Sequence, residues 1–299
     1  GLSLGAARAG FKISAAVELD IHAMASHTNN FPLSKHIQMD IMALNGRDLL
    51  KLADMNVNEL TGIIGGPPCQ GFSSIGQGNV NDSRNQLFIK FFTLVEDLQP
   101  VFFVAENVPG IMNSKYSEIR KTAFSHVKNY HLLPPLKVNA SEYGAPTTRT
   151  RIFFIGYRQC NEINDLTKDD FEQAKVPTNQ KTLVYQALEG LPANIHYSSK
   201  STGYKKILPE YYDPTSNHSQ SDFFYQRVIG LKPVDIGNSE YIELYNKKHL
   251  VNGCFPTKHS SKIRKRYACL SYGQQDKISK SPKLNPNGFC PTLRAGTGP

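Results

Sequence analysis

Cys69 stands in Gly65-Gly66-Pro67-Pro68-Cys69-Gln70-Gly71-Phe72-Ser73, directly after the apolar run Thr61-Gly62-Ile63-Ile64. This is the setting of a displayed nucleophile. Two glycines let the chain leave a strand at unusual backbone angles, and two prolines then stiffen the approach to the cysteine. A free thiol with a pKa of about 8.5 is only a few per cent thiolate at neutrality, so its position and a complementary electrostatic site must supply the reactivity. Taken alone, the segment fits a buried packing cysteine equally well.

Two further segments supply partners. Val101-Phe102-Phe103-Val104-Ala105 is a short apolar run that ends in Glu106-Asn107-Val108-Pro109-Gly110, the pattern of a buried parallel strand closing on a carboxylate. Ligands of open α/β sheets bind outside the carboxyl ends of the strands, which would place Cys69 and Glu106 on one edge. Glu142-Tyr143-Gly144-Ala145-Pro146-Thr147-Thr148-Arg149-Thr150-Arg151 precedes another apolar strand, Ile152 to Tyr157. Arg149 and Arg151, two apart at a strand entry, are expected to project to the same side.

The elements that must position these groups are short strands alternating with helical stretches such as Arg84 to Leu98 and Tyr116 to Val127. That alternation predicts an α/β fold, a doubly wound parallel sheet over residues 1–158. Ile13 to Val17 ends in Glu18, and His36 to Met39 ends in Asp40. An acid closing an early strand commonly holds ribose hydroxyls in nucleotide-binding folds, although either acid could also be a helix cap. Leu2 to Ala9 reads as a helix closed by Gly10.

Pro-Pro-Cys-Gln, Glu-Asn-Val and the Arg-x-Arg pair, in this order, resemble the cytosine-5 DNA methyltransferase family along most of residues 1–158 and more weakly beyond. The resemblance implies a Rossmann-like catalytic domain that uses S-adenosylmethionine, with S-adenosylhomocysteine as product. It implies a DNA (cytosine-5)-methyltransferase of restriction-modification type, with Cys69 adding to carbon 6 of a flipped-out cytosine and Glu106 at ring nitrogen 3. Arg151 would hold the carbonyl oxygen, and Arg149 would support the site or a phosphate. Glu18 would hold the ribose and Asp40 the adenine amino group, with Gly1, Leu2, Leu19, Ile41, Pro67 and Leu87 around the same cofactor.

Gln70, Ser73 and Ser74 are implied DNA contacts on a lid whose joints are Gly71, Gly76 and Gly78, with Asp82 and Arg84 anchoring the next helix. The family's usual leading Gln is Thr147 here. Its opening strand and glycine-rich turn and its closing blocks are not in the sequence, so the chain is expected to be a fragment or one polypeptide of a split enzyme.

Charge is uneven. Residues 1–158 carry +3, 159–199 carry −3 and 200–299 carry +9, the last including Lys262, Arg264, Lys265 and Arg266. A basic segment of this kind suits phosphates, and these four residues are expected to bind double-stranded DNA. Composition therefore suggests a catalytic domain over 1–158, an acidic connector with one helix, Leu183 to Glu189, over 159–193, and a loop-rich target-recognition domain over 194–299.

Tyrosines such as Tyr211, Tyr212 and Tyr267 would mostly pack that second core. Five scattered cysteines without a Cys-x-x-Cys pair speak against a zinc site or a disulfide framework, and no run of apolar residues reaches membrane-spanning length. The expected location is a bacterial cytoplasm, close to the nucleoid. Two alternatives stay open. One is an RNA cytosine-5 methyltransferase of the same fold, disfavoured by Gln70-Gly71 after the cysteine, and the other is a catalytically silent DNA-binding subunit.

Overall fold

A computed structural model describes residues 1–68, 85–158, 165–192, 195, 202–207, 226 and 232–292. Cys69, Gln70, Ser73, Ser74, the lid glycines, Asp82, Arg84, Tyr211 and Tyr212 lie outside the described residues. By compactness the chain divides into two units, Gly1–Asn139 with Thr150–Lys175, and Ala140–Arg149 with Val176–Pro299.

The first unit opens with α1 (Leu2–Arg8), whose end is followed by Gly10 at φ +90°, the left-handed position that only glycine takes without strain. Strand β1 (Ala15–Glu18), helix α2 (Ile21–Asn30) and strand β2 (Lys35–Gln38) form a parallel pair with its crossover. Asp20 caps α2 by accepting the His22 and Ala23 N–H groups at 2.9 and 2.7 Å. Helix α3 (Gly46–Ala53) covers this pair, and its N-terminal Gly46 donates to the Asp97 carboxylate at 3.0 Å.

Strand β3 (Gly62–Gly65) and, after helix α4 (Asn85–Leu98), strand β4 (Phe102–Asn107) form a second parallel pair. Helix α5 (Ser117–Ser125) comes next, then β5 (His131–Leu132), β6 (Leu136–Asn139) and β7 (Thr150–Tyr157). The parallel expectation fails at β7, which runs antiparallel to β4, β5 and β6 in the order β3-β4-β7-β5. Such an antiparallel strand is common on doubly wound sheets. β5 and β6 are two pieces of one edge strand facing β7, interrupted at Pro134-Pro135, which lack the N–H a continuous ladder needs.

Alternation along β4 and β7 separates two faces. Phe103, Ala105, Ile152 and Phe154 are buried against the apolar stripe Phe88, Phe91, Phe92 and Val95 of α4 and against Ala123 of α5. The rings meet edge to face, Phe92 lying 5.4 Å from both Phe103 and Phe124. Phe102, Val104 and Glu106 point to the opposite, half-covered face.

In the second unit a small core gathers Ile207, Tyr245, Val251 and Cys254 around the short antiparallel pair β8 (Lys205–Lys206) and β9 (Leu250–Val251). Helix α8 (Ser239–Lys248) leads into β9, and α9 (Ser261–Ala268) starts at its N-cap Ser260. Among the described residues of the region expected to hold a single helix there are two α-helices, α6 (Lys168–Gln173) and α7 (Val184–Leu188). α6 carries a single apolar residue, the half-buried Phe171, so no apolar period announces it; the Thr167–Asp170 capping box sets its start.

Candidate active site

Two registers converge at Glu106. Gly65 stands opposite Ala105 in the parallel β3–β4 pair, so the next residue, Gly66, comes beside Glu106. Phe153 stands opposite Glu106 in the antiparallel β4–β7 pair, and Arg151, two residues earlier on the same face, becomes its diagonal neighbour. The result is an ion pair, Arg151 Nε to Glu106 Oε1 at 2.6 Å, with both side chains more than four-fifths buried. Arg151 also donates through Nη1 to the Thr150 carbonyl at 2.8 Å, which fixes the guanidinium plane.

Gly65 and Gly66 play a different part from the one expected. Neither takes a positive φ. Their importance is the space they leave, since a Cβ on Gly65 would sit 2.7 Å from the Phe91 ring and one on Gly66 would sit 3.1 Å from Glu106 Oε2. Asn107, buried to 1 % exposure, then ties the two strand ends together: its Nδ2 donates to the Pro67 carbonyl at 3.4 Å and its Oδ1 accepts the Val108 N–H at 2.8 Å. The backbone that enters Cys69 is thereby held beside the carboxylate.

Residues 1–289 match the sequence model of C-5 cytosine-specific DNA methylases. The chain belongs to that family. Among similar proteins, the Type II methyltransferase M.XorII of Xanthomonas oryzae is 31% identical over 99% of this chain and 66% of its own length. M.DdeI of Desulfomicrobium norvegicum is 36% identical over 64% of this chain and 46% of its own. A solved structure, that of a proposed DNA modification methyltransferase encoded within an E. coli prophage, aligns with a TM-score of 0.82 and 45% identity over 98% of this chain and 78% of that one. The chain thus spans about two thirds or less of the length of these curated relatives.

The other residues that the resemblance assigns to the site come from several elements. Glu18 closes β1 and accepts the Leu19 and Asp20 N–H groups at 2.9 and 3.0 Å through Oε1. Asp40 comes after β2 and accepts the Met42 N–H at 2.9 Å. Both acids cap local turns and lie with the exposed Leu19 and Met42 beyond the carboxyl ends of the strands. Ile41 packs against Ile37, Leu44 and Ala53, so part of its role is structural. Gly1 caps α1; Leu2 Cδ1 lies 3.9 Å from the Cβ position of Gly66, and Leu87 is half-buried on α4.

Arg149 falls in the second unit, one residue before β7, whereas Arg151 is in the first. Its N–H donates to Thr147 Oγ1 at 3.3 Å, so the threonine standing where the family has Gln still supplies a local acceptor. The segment is pinned by Cys290, whose N–H donates to the Pro146 carbonyl at 2.9 Å and whose carbonyl accepts the Thr148 N–H at 3.0 Å. No short-range pattern links positions so far apart, and nothing in the sequence announces this contact.

On α9, Lys262, Arg264 and Lys265 are exposed. Arg266 is half-buried, its Nε 2.6 Å from Oδ1 of the buried Asp276, and serves the protein's own structure. Among the described residues no cluster of His, Cys, Asp and Glu could hold a metal ion, and no helix is long and apolar enough to cross a membrane.

Proposed function

We propose that the complete protein is a DNA (cytosine-5)-methyltransferase that modifies cytosine within one short duplex sequence, as part of a restriction-modification system in a bacterial cytoplasm. The observation that carries this reading is the Gly66, Glu106 and Arg151 patch immediately before Pro67-Pro68-Cys69. Cytosine inside a duplex is stacked and its carbon 5 is a poor nucleophile, so the base must be flipped out at a cost of a few kcal/mol and then activated.

The Cys69 thiolate forms a bond from sulfur to carbon 6, breaking the 5,6 double bond and sending its electron pair toward carbon 5 and the ring. Glu106 hydrogen-bonds ring nitrogen 3 and Arg151 the carbonyl oxygen, so the charge that develops is met by groups already in place. S-adenosylmethionine, when bound, supplies the electrophilic methyl group. Once carbon 5 carries that methyl, loss of its proton restores the double bond and expels the Cys69 sulfur.

The residues present fit that cofactor. Glu18 and Asp40 are each fixed through one oxygen by backbone N–H groups, beside the exposed apolar Leu19 and Met42. Carboxylate acceptors next to apolar surface are the set that ribose hydroxyls and an adenine ring require.

The test is bisulfite sequencing of DNA from cells free of cytosine methylation that express the full-length protein or its Cys69→Ser form. Protected cytosines in one sequence context, present only with Cys69, establish activity and nucleophile together. No protection from a folded protein overturns the reading, and protected cytosines in RNA instead would reassign the substrate.

A further inference from the structure

The turn that follows Glu106 is gripped from α5. Val108 is the N-cap of a short 3-10 helix, Pro109–Met112, and a second one, Ser114–Tyr116, leads into α5. Ile111 and Tyr116, both buried in the main core, anchor the inner side of this turn, while residues 112–115 are exposed. The last carbonyls of so short a helix have no intrahelical partner. Arg120 of α5 reaches them: its Nη1 donates to the Ile111 carbonyl and, at 3.1 Å, to the Asn113 carbonyl. The acid in the first turn of α5, Glu118, is engaged by Lys121 at 2.7 Å, so the half-exposed Arg120 is a cation used on neutral carbonyls at the negative end of a helical turn.

From that grip a line of hydrogen bonds runs to the strand ends at the site. The Ile111 N–H donates to the Val108 carbonyl at 3.1 Å, the Val108 N–H to Asn107 Oδ1 at 2.8 Å, and Asn107 Nδ2 to the Pro67 carbonyl at 3.4 Å. Asn107 directly follows Glu106 on β4, and Pro67 stands two residues before Cys69. The Asn107 amide donates toward Pro67 only while the Val108 N–H holds its oxygen, because the two contacts together fix the amide plane. Ile111 and Tyr116 already bury the turn. What Arg120 adds is the placement of the Val108–Ile111 backbone, on which that plane depends.

We propose that Arg120 is a positioning residue for cytosine activation: from α5 it sets the turn that orients Asn107, and through Asn107 it holds the Pro67 backbone in step with Glu106. This rests on the DNA methyltransferase reading above. Arg120 touches neither base nor cofactor, so its loss acts on the chemical step and leaves both affinities alone.

The test uses the full-length protein and its modified site, carrying tritium at carbon 5 of the target cytosine. Addition of the Cys69 sulfur to carbon 6 breaks the 5,6 double bond, and carbon 5 takes a proton from water. Loss of the tritium to water then restores the double bond and expels the sulfur. This exchange needs no methyl donor and reports the alignment of nucleophile and Glu106.

Arg120→Gln should slow exchange by about fivefold to fiftyfold at saturating DNA, with the dissociation constants for DNA and S-adenosylmethionine unchanged. Water reaches the carbonyls it frees, so the protein should fold. Asn107→Ser should slow exchange at least as much, and the double variant should be no slower than Asn107→Ser alone, because both changes cut one line. If Arg120→Gln does not fold, Arg120→Lys, which keeps the charge but not the guanidinium, is read in the same way. Exchange at the parent rate in the Arg120 variant, or slowing that multiplies in the double variant, overturns the inference alone. A folded parent that releases no tritium from DNA overturns it together with the reading beneath it.

Discussion

In the mechanism proposed here the Glu106 carboxylate must reach ring nitrogen 3 of the flipped base, and the strand registers that fix Glu106 beside Gly66 and Arg151 leave little latitude for that. Gly66→Ala is therefore an informative substitution. The new Cβ would lie 3.1 Å from Glu106 Oε2, a few tenths of an ångström too close, and the neighbour that can yield is the far end of a side chain, not backbone. The fold should hold, with an unchanged melting temperature, while methyl transfer slows by about tenfold to a hundredfold because a small misplacement of a reacting group is costly. A single-turnover rate separates this from weakened DNA binding.

Arg151 tests the other half of the pair. Arg151→Lys keeps a charge but not the planar fork that spans Glu106 and the Thr150 carbonyl, so it should recover only part of the rate lost in Arg151→Gln. Full recovery by lysine would show that charge alone is used.

Among the elements, α4 carries most of the core that keeps β4 in place. Phe92 is fully buried among Phe88, Phe91, Phe103 and Phe124, so Phe92→Ala should cost about 3–5 kcal/mol in chemical denaturation. A loss under 1 kcal/mol would mean that the core can close around the gap.

The first lobe holds an acid-sensitive join: His27 of α2 meets His36 Nε2 at 2.9 Å and Ser3 Oγ at 3.0 Å, linking α1, α2 and β2. Burial, and then the neighbouring His36, push His27 below its ordinary value of 6.5. The unfolded chain therefore takes up this proton first, and the contribution is complete above about pH 6.5 and declines as pH falls below it. His27→Gln should flatten the fall in melting temperature between pH 7 and pH 5; an unchanged slope would exclude His27 as the group.

Much of this was legible because local pattern and chemistry coincide: the run Val101 to Ala105 reads as a short buried strand, and β4 forms at Phe102–Asn107 with Glu106 near its end. The antiparallel course of β7 was not, because Ile152 to Tyr157 is equally apolar in either direction and only pairing with β4 decides. Nor was the Asp276–Arg266 brace, since a lone Asp in a basic stretch gives no local sign that it is buried.

At the scale of the whole molecule, charge is the property the sequence displays most openly, and structure refines which charges are available. The +9 of residues 200–299 includes Arg266, which Asp276 neutralises, and Lys247, which Glu243 engages within α8. Lys262, Arg264 and Lys265, by contrast, are each exposed on α9 and have no acidic partner among the described residues. Each phosphate contact releases condensed counterions and adds about 0.9 to the slope of log K against log salt. Replacing these three by Gln should lower that slope by about two to three for specific and non-specific duplexes alike. Replacing Lys121, Lys175 and Lys247, which pair with Glu118, Glu172 and Glu243, removes the same formal charge yet should leave the slope nearly unchanged. Equal effects from the two triple variants would mean that DNA feels only the net charge of the molecule, and the three α9 cations would lose their special standing.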